Sequence, residues 1–300
     1  MSTKSTFVPR GLYAATVTPM QADGSIDIPA IAPMLAHLVD QGVDGLFALG
    51  TTGEGRHLTD GERRAVAEAV LAEAGDVPVI IHVGHNSMVA AAELAAHAAS
   101  HGAAGISISP PSFHAVTTVE SLIACYQGVC AAVPELPVYH YHIPSLSGCT
   151  VQPSAFLAAA ATALPNLRGI KFTDESMMEV QRCQQVAEGR FQVGFGRDEQ
   201  VVAALPYGVD WFIGSTYSVI TPWFRELMAA FAAGDLVAAR AHQQRVVDLV
   251  AIMQCHQGGP AVLKAMLAAL GVPCGQARPP LPHYGQAELA AIASELRELF

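Results

Sequence analysis

Charge is scarce in this 300-residue chain: Asp, Glu, Lys and Arg make up 14%, against 51% hydrophobic residues. A chain so apolar can bury a sizeable core, which excludes intrinsic disorder. Basic residues are the scarcer sign, 16 against 26 acidic, for a formal charge of −10, and no basic run exceeds Arg63-Arg64. A nucleic-acid surface or a polybasic membrane patch needs the opposite sign, so neither partner is expected. No stretch of about 18 purely apolar residues occurs. The opening Met-Ser-Thr-Lys-Ser-Thr is polar and lacks the apolar segment of a secretory leader. The expectation is a soluble, cytoplasmic protein.

Paired cysteines are absent as well. Cys125, Cys130, Cys149, Cys183, Cys255 and Cys274 are scattered without a CxxC, so reduced thiols are expected rather than disulfides or structural zinc. Twelve histidines stand without an HExxH. His82 and His85 have no helical or Cys-linked partner set, and His140 and His142 alternate on a strand-like run with no Asp or Glu nearby in sequence. All four read as satisfied structural histidines, and no metal is expected.

What is present is alternation. Short β-branched or aromatic runs beginning near Tyr13, Gly45, Pro78, Gly105, Val138, Leu167, Phe191 and Trp211 take turns with Ala-rich helical stretches. Thr59-Asp60-Gly61-Glu62 has the form of a capping box, and Gly75, Gly102 and Gly189 fall where helices should stop. The first strand leads into Thr18-Pro19-Met20, not the glycine fingerprint of a dinucleotide-binding sheet. Eight strand–helix units therefore predict a closed (β/α)8 TIM barrel. From about Thr221 to Phe300 the pattern is helical, broken at Gly258-Gly259-Pro260 and at Gly271–Pro282. That segment reads as the last barrel helix plus a C-terminal helical extension of one domain spanning residues 1–300.

In such a barrel, reactive groups stand at the C-terminal ends of strands. Only three residues are Lys: Lys4 in the polar N-terminal tail, Lys264 in a C-terminal helix, and Lys171 inside the sixth strand. An ammonium pointing into a barrel is desolvated, which disfavours its charged form, and a neutral amine attacks carbonyl carbon. The bland alternative is a buried pair with Asp174. Gly50-Thr51-Thr52-Gly53-Glu54 follows an apolar strand and offers amides and hydroxyls for a carboxylate, or is a plain turn. Tyr139 and Tyr141 share a strand face, as a proton shuttle beside an imine or as core filler. Asp198 and Glu199, at the end of the seventh strand, suit the hydroxyls of a polyol, or serve as first-turn acids of a helix.

Taken together, Gly50–Glu54, Tyr141-His142-Ile143-Pro144 and Gly169-Ile170-Lys171 resemble, in order and spacing, the signatures of the pyruvate-dependent class I aldolases. This is the dihydrodipicolinate synthase and N-acetylneuraminate lyase family of (β/α)8 barrels, and the resemblance runs from about Gly11 to Pro282. Within it the chain is most similar to the sialic acid lyases, through Tyr139–Gly148, Gly169–Asp174, Phe195–Gln200 and Gly214–Tyr217. The resemblance implies a cofactor-free, metal-free Schiff-base cleavage of sialic acid to pyruvate and N-acetylmannosamine. Lys171 would form the imine, Tyr141 would move protons and hold the carboxylate, and Thr51 and Thr52 would bind that carboxylate. Thr173, Gly196, Asp198, Glu199 and Ser215 would contact the polyhydroxylated tail. It also implies a homotetramer.

The chain departs from its relatives at two places. Pro110-Pro111-Ser112-Phe113-His114 stands where many relatives carry a Tyr that reaches a neighbouring active site, and Ser218 stands where sialate lyases usually have Asn. Three alternatives remain. One is an aldolase or dehydratase for another 2-oxo-3-deoxy sugar acid, and another is a catalytically silent sugar-acid sensor. The third, a dihydrodipicolinate synthase, normally has an Arg after Tyr-x-x-Pro, and here that stretch reads Pro144-Ser145-Leu146-Ser147-Gly148.

Overall fold

The computed structural model describes residues 7–300, so Lys4 lies outside the described residues. Eight parallel strands close in sequence order: β1 (Gly11–Ala15), β2 (Gly45–Ala48), β3 (Val79–His82), β4 (Gly105–Ile108), β5 (Val138–His142), β6 (Leu167–Phe172), β7 (Gln192–Phe195) and β8 (Trp211–Gly214). β1 pairs with both β2 and β8, with Leu12 beside Phe212 at the seam. The fold is the expected TIM barrel, and strand starts differ from expectation by two residues at most.

Alternation along each strand sorts the side chains into two cores. Tyr13, Phe47, Ile80, Tyr139, Tyr141, Trp211 and Ile213 pack on one another inside the barrel. Leu12, Leu46, Ile81, Ile106, Ile170, Phe172 and Phe212 face outward and join the helices in the larger core. Tyr13 and Tyr139 set their edges against Trp211, with ring centroids 5.9 and 5.0 Å away, and these three rings fill the barrel floor. Gly45 is required opposite Tyr13, because a Cβ there would overlap the Tyr13 ring.

Helix Asp60–Glu73 starts with the predicted capping box, Thr59 and Glu62 satisfying each other's amides. Gly75 and Gly102 take the left-handed conformation just past helix ends, as expected. Gly189 does not cap an α-helix: Met177–Gln185 has already ended, and Gly189 closes a 3-10 turn whose Ala187 and Glu188 are also left-handed. The last barrel helix runs Tyr217–Ala232, beginning before the expected Thr221, with non-helical Ile220 marking the kink imposed by Pro222. Helices Leu236–Cys255, Gly259–Ala269 and Gln286–Leu299 complete the C-terminal extension. Among the described residues no helix is long and apolar enough to cross a membrane.

Candidate active site

Strand register places the two reactive candidates side by side. In the β5–β6 ladder Tyr141 pairs with Lys171, and Gly194 of β7 lies on the other side of Lys171. The Lys171 side chain is buried, with Nζ 4.1 Å from the centroid of the Phe47 ring and 4.2 Å from that of Tyr141. Aromatic faces are its near neighbours. The bland pairing with Asp174 does not occur: Asp174 approaches His142 Nε2 at 3.6 Å instead, and Lys171 forms no ion pair among the described residues.

Thr51 and Thr52 stand at the rim beside Tyr141, whose hydroxyl is 3.4 Å from Thr51 Oγ1. Their loop is sharply folded. Leu49 and Glu54 both adopt positive φ (62° and 54°), which a side chain tolerates only when its surroundings fix it. Thr18 Oγ1 donates to Gly53 O at 2.7 Å, and Gly55 N donates to Gly50 O. The amides of Thr51, Thr52 and Gly53 donate to no backbone carbonyl among the described residues, leaving them available to an anion.

The loop is fixed from the C-terminal extension. Glu54 Oε1 meets Lys264 Nζ at 2.7 Å with both side chains fully buried, and Glu54 Oε2 accepts from the Arg278 amide at 2.8 Å. Lys264 also donates to Gln276 O, while the Arg278 guanidinium donates to Gly24 O and pairs with Glu62. Burial pulls the Lys264 ammonium below the ordinary lysine range, and Glu54 opposes that pull. Sequence reading placed Lys264 in a helix and gave it no partner, since its counter-ion is far away in the chain.

Thr173, Gly196, Asp198, Glu199 and Ser215 form the opposite wall. With Lys171, Tyr141, Thr51 and Thr52 they line one cavity of about 400 Å³, so all nine expected site residues converge. Asp198 is buried, and its Oδ2 accepts from the Thr216 amide at 3.0 Å and from Thr216 Oγ1 at 2.7 Å. Among the described residues its Oδ1 has no partner, and neither has buried Thr173 Oγ1. Burial pushes the Asp198 carboxyl up to about 6, with the Thr216 hydrogen bonds acting the other way. Gly214 leaves room for this carboxylate, which a Cβ would overlap. Glu199 is more open and lies 3.4 Å from Arg197, whose guanidinium also holds Glu175 at 3.0 Å.

Several lining residues were missed in the sequence. Val250, Met253 and Gln254 of Leu236–Cys255, with Gly258-Gly259-Pro260, close the mouth. The glycine–proline break was the signal for the latter three. A second cavity of about 310 Å³ shares Thr51, Tyr141, Ile143, Leu146 and Pro260 with the first, and adds Arg56, His82 and Ser109. Arg56 donates to Ser109 Oγ at 2.9 Å and to Pro110 O at 3.1 Å. His82 packs edge-on against Tyr141, and burial holds it far below the ordinary histidine range. His140 accepts the structural role expected of it, 2.8 Å from the Tyr126 hydroxyl. His142 gains the acidic neighbour, Asp174, that its local sequence lacks. Of the two departures from relatives, Phe113 is largely exposed, and Ser218 lies outside the cavity lining, its carbonyl 3.0 Å from His37 Nε2.

Known proteins resemble this chain over nearly its whole length. A profile of the dihydrodipicolinate synthetase family matches residues 8–299. The N-acetylneuraminate lyase of Xenopus tropicalis is 40% identical over 277 residues, covering 91% of this chain and 90% of its own. That of Mus musculus is 36% identical over 295 residues, covering 97% and 92%. Among solved structures, Proteus mirabilis N-acetylneuraminate lyase superposes with a TM-score of 0.94 at 34% identity, over 97% of this chain and 98% of that one.

Proposed function

The chain belongs to the dihydrodipicolinate synthetase family, and on that premise we propose that it is a sialic acid lyase working through an imine on Lys171. The observation that carries this reading is the pairing of Lys171 with Tyr141 inside the barrel, beneath a loop whose Thr51, Thr52 and Gly53 amides donate to no carbonyl among the described residues. Lys171 Nζ adds to the C2 carbonyl of the open-chain sugar acid, water leaves, and a cationic imine remains. A base takes the C4 hydroxyl proton, the C3–C4 bond breaks, and its electron pair enters the imine as an enamine. Protonation at C3 and return of water at C2 release pyruvate and the free amine. N-Acetylmannosamine departs with the new carbonyl at C4. The imine is itself the electron sink, so the scheme calls for neither metal nor organic cofactor.

Tyr141 serves as the proton carrier, with its hydroxyl beside Thr51. Thr51, Thr52 and the loop amides hold the carboxylate, which a net charge of −10 does nothing to attract. The polyol tail lies along Thr173, Gly196, Asp198, Glu199 and Ser215, where two buried oxygens lack partners. A second substrate carboxylate, as in aspartate semialdehyde, would meet Asp198, Glu199 and an Arg197 already engaged by two carboxylates. The six free cysteines suit a reducing compartment, which supports a cytoplasmic enzyme. We take it to be one domain and a homotetramer, as the family resemblance implies.

Incubation with pyruvate and borohydride tests the central step. It should add one reduced pyruvyl group, mapped by peptide mass to Lys171. Labelling at Lys264 or Lys4, or none at all, overturns the assignment.

A further inference from the structure

Away from the cavity, three metal-competent side chains converge between two neighbouring helices. Glu68 belongs to Asp60–Glu73, His97 to Met88–Ser100, and His101 is the residue that caps the latter helix. Their ligand atoms all lie within 4.8 Å of one another. Glu68 Oε1 accepts a hydrogen bond from His97 Nε2 at 2.8 Å and lies 3.9 Å from His101 Nε2, so an ion would take the place of the His97 proton. A tetrahedral ion with bonds of about 2.0–2.2 Å holds its donors roughly 3.3–3.5 Å apart, a spacing that these two distances bracket.

The His101 ring is also held from behind. Its Nδ1 lies 2.9 Å from His97 O and 3.1 Å from Ser100 Oγ, the kind of outer contact that commonly orients metal-bound imidazoles, with Nε2 on the side of Glu68. Ser100 Oγ donates to the same carbonyl at 2.8 Å and steadies it. The two rings are one helical turn apart, centroids 4.2 Å from each other. They stand at a helix C-terminus, where the backbone dipole favours a cation. His101 and Glu68 are open to solvent, and His97 is partly so, which leaves a position for water.

We propose that Glu68, His97 and His101 form a surface site for a borderline divalent transition ion of the Zn²⁺ type. The ion would staple Asp60–Glu73 to Met88–Ser100 and would take no part in the lyase chemistry. Arg64 and Glu93 already join the same helices at 3.1 Å, and the metal adds a second, stronger tie. Two imidazoles and one carboxylate with an open position suit zinc better than the hard cations Mg²⁺ or Ca²⁺.

The test uses the full chain, freed of metal by a chelator that is then removed. Titration calorimetry with ZnCl2 should give one saturable site per chain, and melting should rise with zinc as binding to the folded state requires. His97→Ala and His101→Ala should each weaken that site at least about tenfold and abolish the melting shift, with lyase activity unchanged. Co²⁺ substitution distinguishes this site from exposed Cys255, because nitrogen and oxygen ligands give no thiolate charge-transfer band. Absence of saturable zinc binding, equal binding by the histidine variants, or a thiolate band overturns the proposal.

Discussion

Asp198 divides its two oxygens between different tasks. Oδ2 is tied to Thr216 of the next strand's loop, while Oδ1 is buried beside the cavity without a partner among the described residues. Asp198 and Glu199 also open a helical run, the 3-10 turn Asp198–Gln200 leading straight into Val201–Ala204, so a first-turn role beside the dipole competes with the tail role, and Asp198→Asn parts the two. The Asp198 carboxyl is raised from 3.8 to about 6. The folded chain therefore holds a proton between about pH 4 and 6 that the unfolded chain has released, and stability falls as pH rises through that window. Asp198→Asn should be more stable than wild type at pH 7.5, by about 2–3 kcal/mol at most, with the gap closing toward pH 5. Sialic acid cleavage should nevertheless drop at least about tenfold while pyruvate trapping persists. Urea melts at the two pH values and paired assays check this, and unchanged cleavage would remove Asp198 from the tail site. Tyr141→Phe loses one hydroxyl and little volume, so turnover should fall by about 10²–10⁴ with the melting temperature nearly kept. Near-normal turnover with a lowered melting temperature would return Tyr141 to the barrel core. Lys171 was legible in the sequence because lysine is so rare and its strand so apolar. Arg56 was not, since its partners Ser109 and Pro110 are brought to it only by barrel closure.

At the scale of elements, the strands announced themselves through period-two alternation and the helix Asp60–Glu73 through its capping box. What alternation cannot reveal is how the loop after β2 is braced. The Leu49 and Glu54 conformations are strained, and the Glu54–Lys264 pair, with the Arg278 amide, holds them from a helix and a segment near the end of the chain. Removing one member of a fully buried pair leaves an uncompensated charge, at a cost of about 3–5 kcal/mol. Lys264→Met should lower stability by that order and raise the pyruvate concentration needed for half-maximal trapping. The double change Glu54→Gln with Lys264→Met should regain much of the stability but not the pyruvate affinity. Trapping curves that match wild type in both variants would mean the carboxylate loop keeps its shape without the pair.

For the whole molecule, the relevant quantity is the field an anionic substrate meets. The chain carries −10, and Arg197, which lines the cavity, is engaged by Glu175 and Glu199. On the proposed reading, binding of sialate relies on short-range donors, while distant acidic groups oppose its approach. Raising ionic strength from about 10 to 150 mM shortens the screening length from about 30 to 8 Å, so kcat/KM should hold or rise. A steep fall would place a positive funnel at the cavity mouth. The sequence yielded the sign of this field but not its local balance, because which charges line the mouth depends on Leu236–Cys255 folding back over it.

The brace on the carboxylate loop also has a bearing on time. A protein is made from its N-terminus and its parts begin to fold in that order. The loop is translated early, yet Arg278 meets Glu54 across 224 positions and Gly24 across 254. A nascent chain can hold β1 through β8 and still lack the groups that fix Glu54. On the proposed reading, the loop that would anchor the substrate is thus among the first parts to be synthesised and among the last to be braced, and the emerging barrel gains its full grip on a carboxylate only when its tail arrives.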